Sequence, residues 1–170
     1  MVSSWKPGMM PHMTAKKSLP ELEDLIDYHF HEKDVMEKAR TRLAFLNDKQ
    51  QCDEEKSMDP LATLGDAVLN CIVAYKLYTK NYRTKQAITE LRSANVRRER
   101  TRAFAEKNSL GDFVNWGKGE IQENVAAKGS KAYDTVTEAL IGAVFLDAQN
   151  QGFNGIELVG NMLDKKGFFN

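Results

Sequence analysis

The chain has 170 residues, with 24 lysine and arginine residues balanced by 24 aspartate and glutamate residues. This length suits one domain with a substantial core, and the balanced charge excludes a globally basic nucleic-acid binder, so any affinity for RNA must come from local clusters. The two cysteines, Cys52 and Cys71, do not suggest a disulfide framework, and no apolar run approaches the length of a membrane span. We therefore expect a protein of a reducing compartment, the cytoplasm, with an organelle as the open alternative.

The N-terminal segment, residues 1–17, holds several methionines, two prolines and a glycine and is predicted to be disordered. Residues 18–166 are predicted to form the domain, and residues 167–170 a tail that frays or packs on a partner subunit. Ser18 followed three residues later by Glu21 predicts a helix start of the capping-box type. Apolar residues at helical spacing then predict a first helix and a single second helix. They are Leu22, Leu25 and Ile26 in the first, and Val35, Met36, Ala39, Leu43 and Leu46 in the second.

The segment from Leu61 to Tyr78 has the clearest helical pattern. Asp66 lies inside this pattern, where a carboxylate loses hydration and needs a cation, a metal or good hydrogen bonds beside it. The preceding Asp59-Pro60 pair predicts the helix start, with Asp59 as N-cap; alternatively, Asp59 shares the helix face of Asp66 and helps to hold water on a metal. One broad buried face is predicted from Leu64, Ala67, Val68, Cys71, Ile72, Tyr75 and Tyr78.

A second acidic residue, Glu138, opens a segment that is apolar at nearly every position up to Asp147. A helix that is apolar on all sides belongs in the centre of a bundle. Two carboxylates brought together by two core helices are well explained as a site for a hard divalent cation. Gly65 and Gly142, beside the two acids, are predicted to let the helices approach closely.

The blocks Leu64-Gly-Asp-Ala-Val-Leu69, Glu138-Ala-Leu-Ile-Gly142 and Phe145-Leu-Asp147 together resemble the catalytic domain of the ribonuclease III family. The likeness extends from about Leu22 to Met162. The segment Ser93–Ala105 looks like the family's third conserved helix, and Gly117–Glu120 like its following loop. The resemblance implies an all-α endonuclease domain, a helical bundle that works as a homodimer and binds double-stranded RNA in a channel.

The resemblance also implies that Asp66 and Glu138 bind Mg²⁺, for which Mn²⁺ can substitute, and that RNA hydrolysis leaves 5′-phosphate and 3′-hydroxyl ends. Magnesium usually takes only one or two protein carboxylates and keeps several waters, so these two acids would place one ion. Asp134 is able to assist, because residues four apart lie on the same helical face. The alternative for Asp134 is a charge that the helix dipole favours near an N-terminus.

Three positions depart from the commonest pattern of the family: Ala62 and Thr135 stand where metal-binding acids are common, and Gln86 where many relatives carry a further acid. The alanine and the Thr-x-x-Glu sequence are instead similar to the short Mini-III branch, which consists of the catalytic domain alone and is active with fewer carboxylates. The chain is therefore expected to engage RNA without a separate double-stranded-RNA-binding domain. The main alternative is an inactive relative, kept as an RNA-binding or ribosome-associated structural protein.

Local basic clusters supply the expected RNA contacts. Residues 92–107 hold six arginine and lysine residues against two glutamates, and phosphate contact is their obvious use; a solvated helix face is the alternative. Arg97 and Arg98 are the candidates there, and Lys128 and Lys131 are the candidates in the glycine-containing loop before Glu138. Elsewhere, Trp116 is predicted to be a packing anchor, His29 and His31 to be partly exposed, and residues 156–163 to form a last amphipathic helix.

Overall fold

The computed structural model describes residues 15–127 and 129–169, and within these ranges the chain forms helices, turns and one isolated bridge, between Thr41 and Asn115. The prediction of an all-α fold is thus confirmed. In this described part, no helix is both long enough and apolar enough to cross a membrane. The α-helices are α1 (Leu19–Ile26), α2 (Lys33–Ala39), α3 (Leu43–Asp48), α4 (Asp59–Thr79), α5 (Lys85–Asn95), α6 (Arg98–Lys107), α7 (Lys118–Gln122), α8 (Ala132–Asn150) and α9 (Gly155–Lys165).

The long helices α4 and α8 form the centre of the bundle. Helix α8 is buried along most of its length, as its nearly unbroken apolar sequence predicts. Helices α2, α4, α6 and α9 pack around it. The fully buried side chains of α8 are Ala139, Ile141, Ala143, Val144 and Ala148, together with the polar Thr137 and Asp147.

Two glycines set the distance between α4 and α8. A Cβ atom on Gly65 would lie 1.8 Å from the carbonyl oxygen of Glu138, and one on Gly142 would lie 2.1 Å from the carbonyl oxygen of Leu61. Since real Cβ contacts are never so short, only glycine fits at either position. The predicted close approach at Gly65 and Gly142 is therefore confirmed. It joins the segments that carry the two acids, since Gly65 directly precedes Asp66 and contacts the backbone of Glu138.

The predicted buried face of α4 is only partly correct. Val68 and Ile72 are buried, but Ala67 and Cys71 are exposed, and Tyr75 is 64% exposed. Because α4 is apolar on most of its circumference, helical spacing alone describes more than one stripe, and the contact at Gly65 selects the stripe that faces the core. The residues that α4 buries are Leu61, Ala62, Gly65, Val68, Leu69, Ile72, Val73 and Leu77.

The N-terminal region begins as predicted and then departs from the prediction. The Glu21 carboxylate accepts hydrogen bonds from the backbone N–H (2.8 Å) and the hydroxyl (2.7 Å) of Ser18, which confirms the capping box. The predicted second helix, however, is two helices, α2 and α3. Its middle is extended because the Arg42 N–H donates to the carbonyl of Asn115 (3.2 Å) and the Asn115 N–H donates to the carbonyl of Arg40 (2.8 Å).

The helix predicted over Ser93–Ala105 is also broken, since α5 ends at Asn95 and α6 begins at Arg98. Helix α6 takes its own direction because it packs on α8. There the buried Thr137 hydroxyl donates to the carbonyl of Thr101 at 2.7 Å, and local sequence periodicity carries no signal for that contact.

Asp147 is a buried anchor between α8 and the turn after α1. Its carboxylate accepts from the Tyr28 hydroxyl (2.6 Å) and from the backbone N–H groups of Glu32 (2.7 Å) and His31 (3.2 Å). Burial alone would raise the pKa of Asp147, but these hydrogen bonds outweigh burial and hold it below its ordinary value. The side chains of His29 and His31 are 81% and 53% exposed, as predicted.

Both ends of the described chain pack on the domain. The N–H of Ala15 donates to the Asn115 side chain and that of Lys17 to the carbonyl of Asp112, each at 3.1 Å, so the predicted disorder is wrong for residues 15–17; residues 1–14 lie outside the described ranges. The tail prediction is also wrong at Phe168, which is 2% exposed and packs edge-on against Phe104 in the protomer's own core. Helix α9 confirms the predicted last amphipathic helix.

The glycine contact leads to a stability prediction. Replacing Gly65 or Gly142 by alanine is expected to lower the free energy of unfolding by about 3 kcal/mol, the upper end of the usual cost of overpacking, because a backbone carbonyl cannot move aside as a flexible side chain can. Urea denaturation of each variant measures the change.

Gly119→Ala is the matched control, since nothing lies within 4 Å of a Cβ atom at this position of α7. It is expected to leave the free energy of unfolding unchanged or to raise it by up to about 1 kcal/mol. Equal effects of the control and Gly65→Ala would contradict the close approach.

Candidate functional site

The close contact between α4 and α8 brings the two predicted acids together. Asp66 directly follows Gly65, and the carbonyl group that Gly65 touches belongs to Glu138. The pKa of Glu138 is raised to about 7, first by burial and then by the negative charges of Asp66 and Asp134, while Arg98 opposes the shift. The groups that set this pKa act through burial and charge, not through hydrogen bonds. Asp66 and Glu138 therefore repel each other across the junction of the two helices.

Asp66 itself is exposed, which corrects the expectation that it is desolvated inside the helix. It lies at the solvent-facing edge because the glycine contact turns the neighbouring stripe of α4 inward. The amide of Asn70 donates to the Asp66 side chain at 3.1 Å and to its carbonyl at 2.8 Å. Arg92 in turn donates to the Asn70 side chain at 3.2 Å. The orientation of Asp66 is thus supported by a side chain from α5.

Glu138 opens onto a cleft of about 590 Å³ between α8, the start of α6 and the loop before α8. Both basic and acidic side chains line this cleft. Its lining residues are Arg42, Arg98, Val125, Ser130, Lys131, Ala132, Asp134, Thr135 and Glu138.

Asp134 already has a cationic partner. Its two carboxylate oxygens accept from Nε (3.1 Å) and Nη2 (3.3 Å) of Arg102, and the side chain is only 8% exposed. Such a bidentate pair is the arrangement in which arginine binds a carboxylate best. Asp134 as a metal ligand stays a prediction, one that requires Arg102 to release it.

Asp59 is not the N-cap of α4. The helix begins at Asp59 itself, and the N-cap is Met58, whose side chain makes no capping bond. The start is shifted by one residue because Met58 is fully buried and its N–H donates to the carbonyl of Thr41 at 2.8 Å. Asp59 lies in the first turn, where the helix dipole favours a negative charge; its assistance to a metal stays a prediction.

The basic cluster of residues 92–107 is divided between internal contacts and the surface. Arg97 and Arg98 are exposed at the start of α6, whereas Arg100 donates to the Asn95 side chain (3.2 Å) and to the carbonyl of Phe168 (3.3 Å). Lys131 is exposed and lines the cleft with Arg98, and Lys128 lies outside the described residues. Trp116 is buried, with its Nε1 donating to the carbonyl of Gly111 at 3.0 Å, which confirms it as a packing residue.

Three residues of the site were not predicted from the sequence: Asn70, Arg102 and Arg42. Asn70 lies four residues after Asp66, a spacing that could have suggested the hydrogen bond. Nothing in the sequence distinguishes Arg102 from the other arginines of residues 92–107, because its partner is 32 residues away. Arg42 reaches the cleft from the extended segment between α2 and α3, which no helical pattern revealed.

The acidic pair has the oxygen ligands that a hard cation requires. Within the described residues, no three His, Cys, Asp or Glu side chains form a metal-binding group, so this part of the protein offers the two carboxylates of Asp66 and Glu138. Mg²⁺ accepts such a donor set because it keeps several waters and takes oxygen ligands from its substrate. The raised pKa of Glu138 fits that role, since a cation would relieve the repulsion that raises it.

Comparisons with known proteins identify similar sequences and structures. The sequence model of the Ribonuclease III domain matches residues 59–149. The chain is 34% identical to Ribonuclease 3 of Pseudoalteromonas translucida over 134 residues, 78% of this chain and 56% of that protein. It is 33% identical to Ribonuclease 3 of Syntrophotalea carbinolica over 148 residues, 86% of this chain and 62% of that protein. The chain thus spans less than two thirds of the length of these two relatives.

Among solved structures, the nuclease domain of ribonuclease III from Campylobacter jejuni superposes with a TM-score of 0.72 at 26% identity, covering 88% of this chain and 95% of that one. In that structure, a region involved in dimer formation of the C. jejuni domain shows structural flexibility. The expected fold is therefore confirmed by sequence and by structure.

The raised pKa of Glu138 predicts a pH-dependent cost to stability. The pKa is about 7 in the folded protein, against an ordinary value of 4.5, so between these values the folded protein holds a proton that the unfolded chain has lost. Stability contributed by this group therefore falls as the pH rises from about 4.5 to 7 and stays low above that. Glu138→Gln is expected to raise the free energy of unfolding of the metal-free protein at pH 8 by on the order of 1 kcal/mol, allowing for solvent screening, with little change at pH 4.

Urea denaturation of both proteins at pH 4 and pH 8, in the presence of a chelator, measures this difference. Glu123→Gln is the control, because Glu123 is exposed at the end of α7; the same substitution there should have equal effects at the two pH values. A gain from Glu138→Gln that did not depend on pH would show that the pKa of Glu138 is not raised in the folded protein.

Proposed function

The chain belongs to the ribonuclease III family, and from that membership we propose that it is a metal-dependent endoribonuclease that hydrolyses double-stranded RNA. The observation that carries the proposal is the pair Asp66 and Glu138, brought close by the glycine contact, with Glu138 lining a cleft that also contains Arg42, Arg98 and Lys131. A purely structural protein gains nothing from two carboxylates that repel each other at a solvent-facing junction.

Asp66 and Glu138 would hold Mg²⁺, or Mn²⁺ in its place. When bound there, the ion supplies a water of lowered pKa and stabilises negative charge on the scissile phosphate and the leaving oxygen. The chain's own residues would position the ion. Asn70 and Arg92 hold the Asp66 carboxylate in place. The raised pKa of Glu138 indicates that a nearby positive charge would stabilise its carboxylate. The products would carry 5′-phosphate and 3′-hydroxyl ends.

Binding of the RNA backbone falls to exposed basic residues near the cleft. Arg97, Arg98 and Lys131 are exposed, and Lys128 lies three residues before Lys131 in the sequence. Phosphate contacts position a duplex without reading its sequence, and an A-form duplex is recognised mainly through its shape and its 2′-hydroxyl groups. We therefore expect weak sequence preference. RNA processing is the natural use of such an activity.

The homodimer is the second part of the proposal. The outer face of α4 carries the exposed apolar residues Cys71, Tyr75 and Tyr78, of which the two tyrosines are 64% and 55% exposed. Cys71 and Tyr75, together with Gly160, also line a groove of about 440 Å³ between α4 and α9. A contiguous apolar surface of this kind marks a protein interface, and a second copy would bring its own α4 to it. The C. jejuni nuclease domain likewise has a region involved in dimer formation.

The alternative function is that of an inactive RNA-binding or ribosome-associated protein, and specific observations support it. Ala62 is buried, and Thr135 carries no carboxylate. The nearby Asp134 is neutralised by Arg102. The site is thus reduced to two acids, and only an activity measurement separates a reduced active site from an abandoned one.

Cleavage of a duplex RNA in Mg²⁺ tests the activity. Asp66→Asn and Glu138→Gln are each expected to lower the cleavage rate at least about 100-fold, the usual loss when a charge-stabilising group is removed, while binding of the same duplex in a chelator is retained. Titration of Mn²⁺ by calorimetry gives a second readout and should lose its heat in both variants.

Asp24→Asn and Glu123→Gln are the controls, because both positions are exposed and lie outside the cleft lining; they should cleave like the wild type. If the wild-type protein binds the duplex, leaves it uncut and takes up no Mn²⁺, the structural role is the correct one.

The dimer is tested on the outer face of α4. Tyr75→Glu places a charge on the apolar surface and is expected to convert the dimer into monomers in sedimentation velocity, with little change in the free energy of unfolding of the monomer, because the side chain is exposed. Gln122→Glu adds the same charge on exposed α7 and should leave the dimer intact. A wild-type protein that sediments as a monomer would refute the interface.

A further inference from the structure

Arg42 is the most firmly held cation of the cleft. Its Nε and Nη2 both donate to Oε1 of Glu120, at 2.9 and 2.7 Å, and its guanidinium lies 5.8 Å from the ring of Trp116. Oε2 of Glu120 accepts from the N–H of Gly117 at 3.1 Å. The side chains of Arg42 and Glu120 are only 19% and 12% exposed. The guanidinium is therefore fixed before any ligand arrives.

The Arg42 guanidinium retains donors for a ligand. A guanidinium has five N–H groups, of which two bond to Glu120 and one points at the sulfur of Met58 at 3.8 Å. Two are left, on a residue that lines the cleft. Arginine matches phosphate oxygens better than lysine does, because its donors are planar and fixed relative to one another.

The surroundings of Arg42 favour an anion over a second cation. Arg98 and Lys131 line the same cleft. Of its two carboxylates, Asp134 is neutralised by Arg102, and the other, Glu138, belongs to the proposed metal site. The hydroxyl of Ser130 also lines the cleft and is a neutral donor for an oxygen ligand. Apart from these two acids, the charged lining of the cleft is thus basic, and the cleft includes Glu138 of the proposed metal site.

Stability alone explains the Arg42–Glu120 pair poorly. A largely buried ion pair often contributes little net stability, because desolvation of the two charges offsets their attraction. Placing one at the rim of a cleft, with spare donors, has a clearer use in recognition.

We propose that Arg42, together with Arg98 and Lys131, forms a binding subsite for a phosphodiester group of the RNA backbone, in the same cleft as the acidic residue Glu138 of the site where hydrolysis would occur. This inference rests on the proposed function, because it names a contact of the same site. The subsite recognises phosphate and not base, so it contributes affinity without sequence preference. Because Glu120 and Trp116 hold the guanidinium in place, little side-chain entropy is lost on binding.

The test is the salt dependence of duplex RNA binding in a chelator, where no cleavage occurs. Each phosphate contact contributes about one unit to the slope of log affinity against log salt concentration. Arg42→Gln is expected to weaken binding about tenfold at low salt and to reduce the slope by about one, equally for duplexes of unrelated sequence.

Arg40→Gln is the matched control. Arg40 is also 19% exposed and also pairs with a glutamate, through a 2.8 Å bond from Nε to Glu37, but it is not among the residues that line this cleft. Its loss should leave the affinity within about twofold and the slope unchanged.

Glu120→Gln separates recognition from a structural role. Removing the negative charge behind Arg42 is expected to lower the melting temperature, as Arg42→Gln does, but to strengthen RNA binding and steepen the salt slope. If both variants lower the melting temperature and neither changes the affinity or the slope, Arg42 is structural and the proposal is overturned. If Arg42→Gln does not fold, Glu120→Gln decides alone, since an unchanged slope there also overturns the subsite.

The result can be distinguished from failure of the proposed function. A wild-type protein that binds no duplex RNA refutes both. A wild-type protein that binds RNA without cutting it refutes only the nuclease activity, and the variants still decide on Arg42.

Discussion

The contact between the backbones of α4 and α8 is the constraint on which the rest of the structure depends. Gly65 meets the carbonyl of Glu138, and Gly142 meets the carbonyl of Leu61, at distances that leave no room for a Cβ atom. Each glycine sits within a few residues of an acid, so the same contact that closes the core also fixes the distance between Asp66 and Glu138. The core and the candidate site are therefore one piece of geometry, and neither can be altered at the glycines without the other.

That geometry brings carboxylates close together, and the neighbouring arginines compensate their negative charges to different extents. Asp134 has its own arginine in a bidentate pair, and Asp66 is supported indirectly by Arg92 through Asn70. Glu138 interacts with Arg98 only through the nearby positive charge, and the pKa of Glu138 is raised to about 7. The site thus has two satisfied acids and one that a cation would stabilise. An overall neutral chain reaches this state by local placement of arginines.

Sequence predicted the central helices, the two acids and the glycines, because these features depend on residues that are close in the chain. It failed where the determining partner is distant. The inward face of α4 was wrong because an apolar helix has several equivalent stripes, and only α8 chooses among them. The breaks in the predicted helices follow from Asn115, which pairs with the backbone on both sides of Thr41, and from the packing of Thr101 on Thr137. The roles of Arg42 and Arg102 depend on acids 78 and 32 residues away.

The departures from the common family pattern follow a physical logic in this structure. With Ala62 and Thr135 carrying no charge, fewer like charges meet at the helix junction, and the cost of holding them together is lower. The same loss leaves fewer ligands for a cation, so under the proposed function a larger share of its coordination must come from water and from substrate phosphate oxygens. A site of this kind favours a cleft that fixes the RNA backbone independently of the metal. Under the proposed function, the rigid pairing of Arg42 with Glu120 would supply such a fixed point in the cleft that Glu138 also lines.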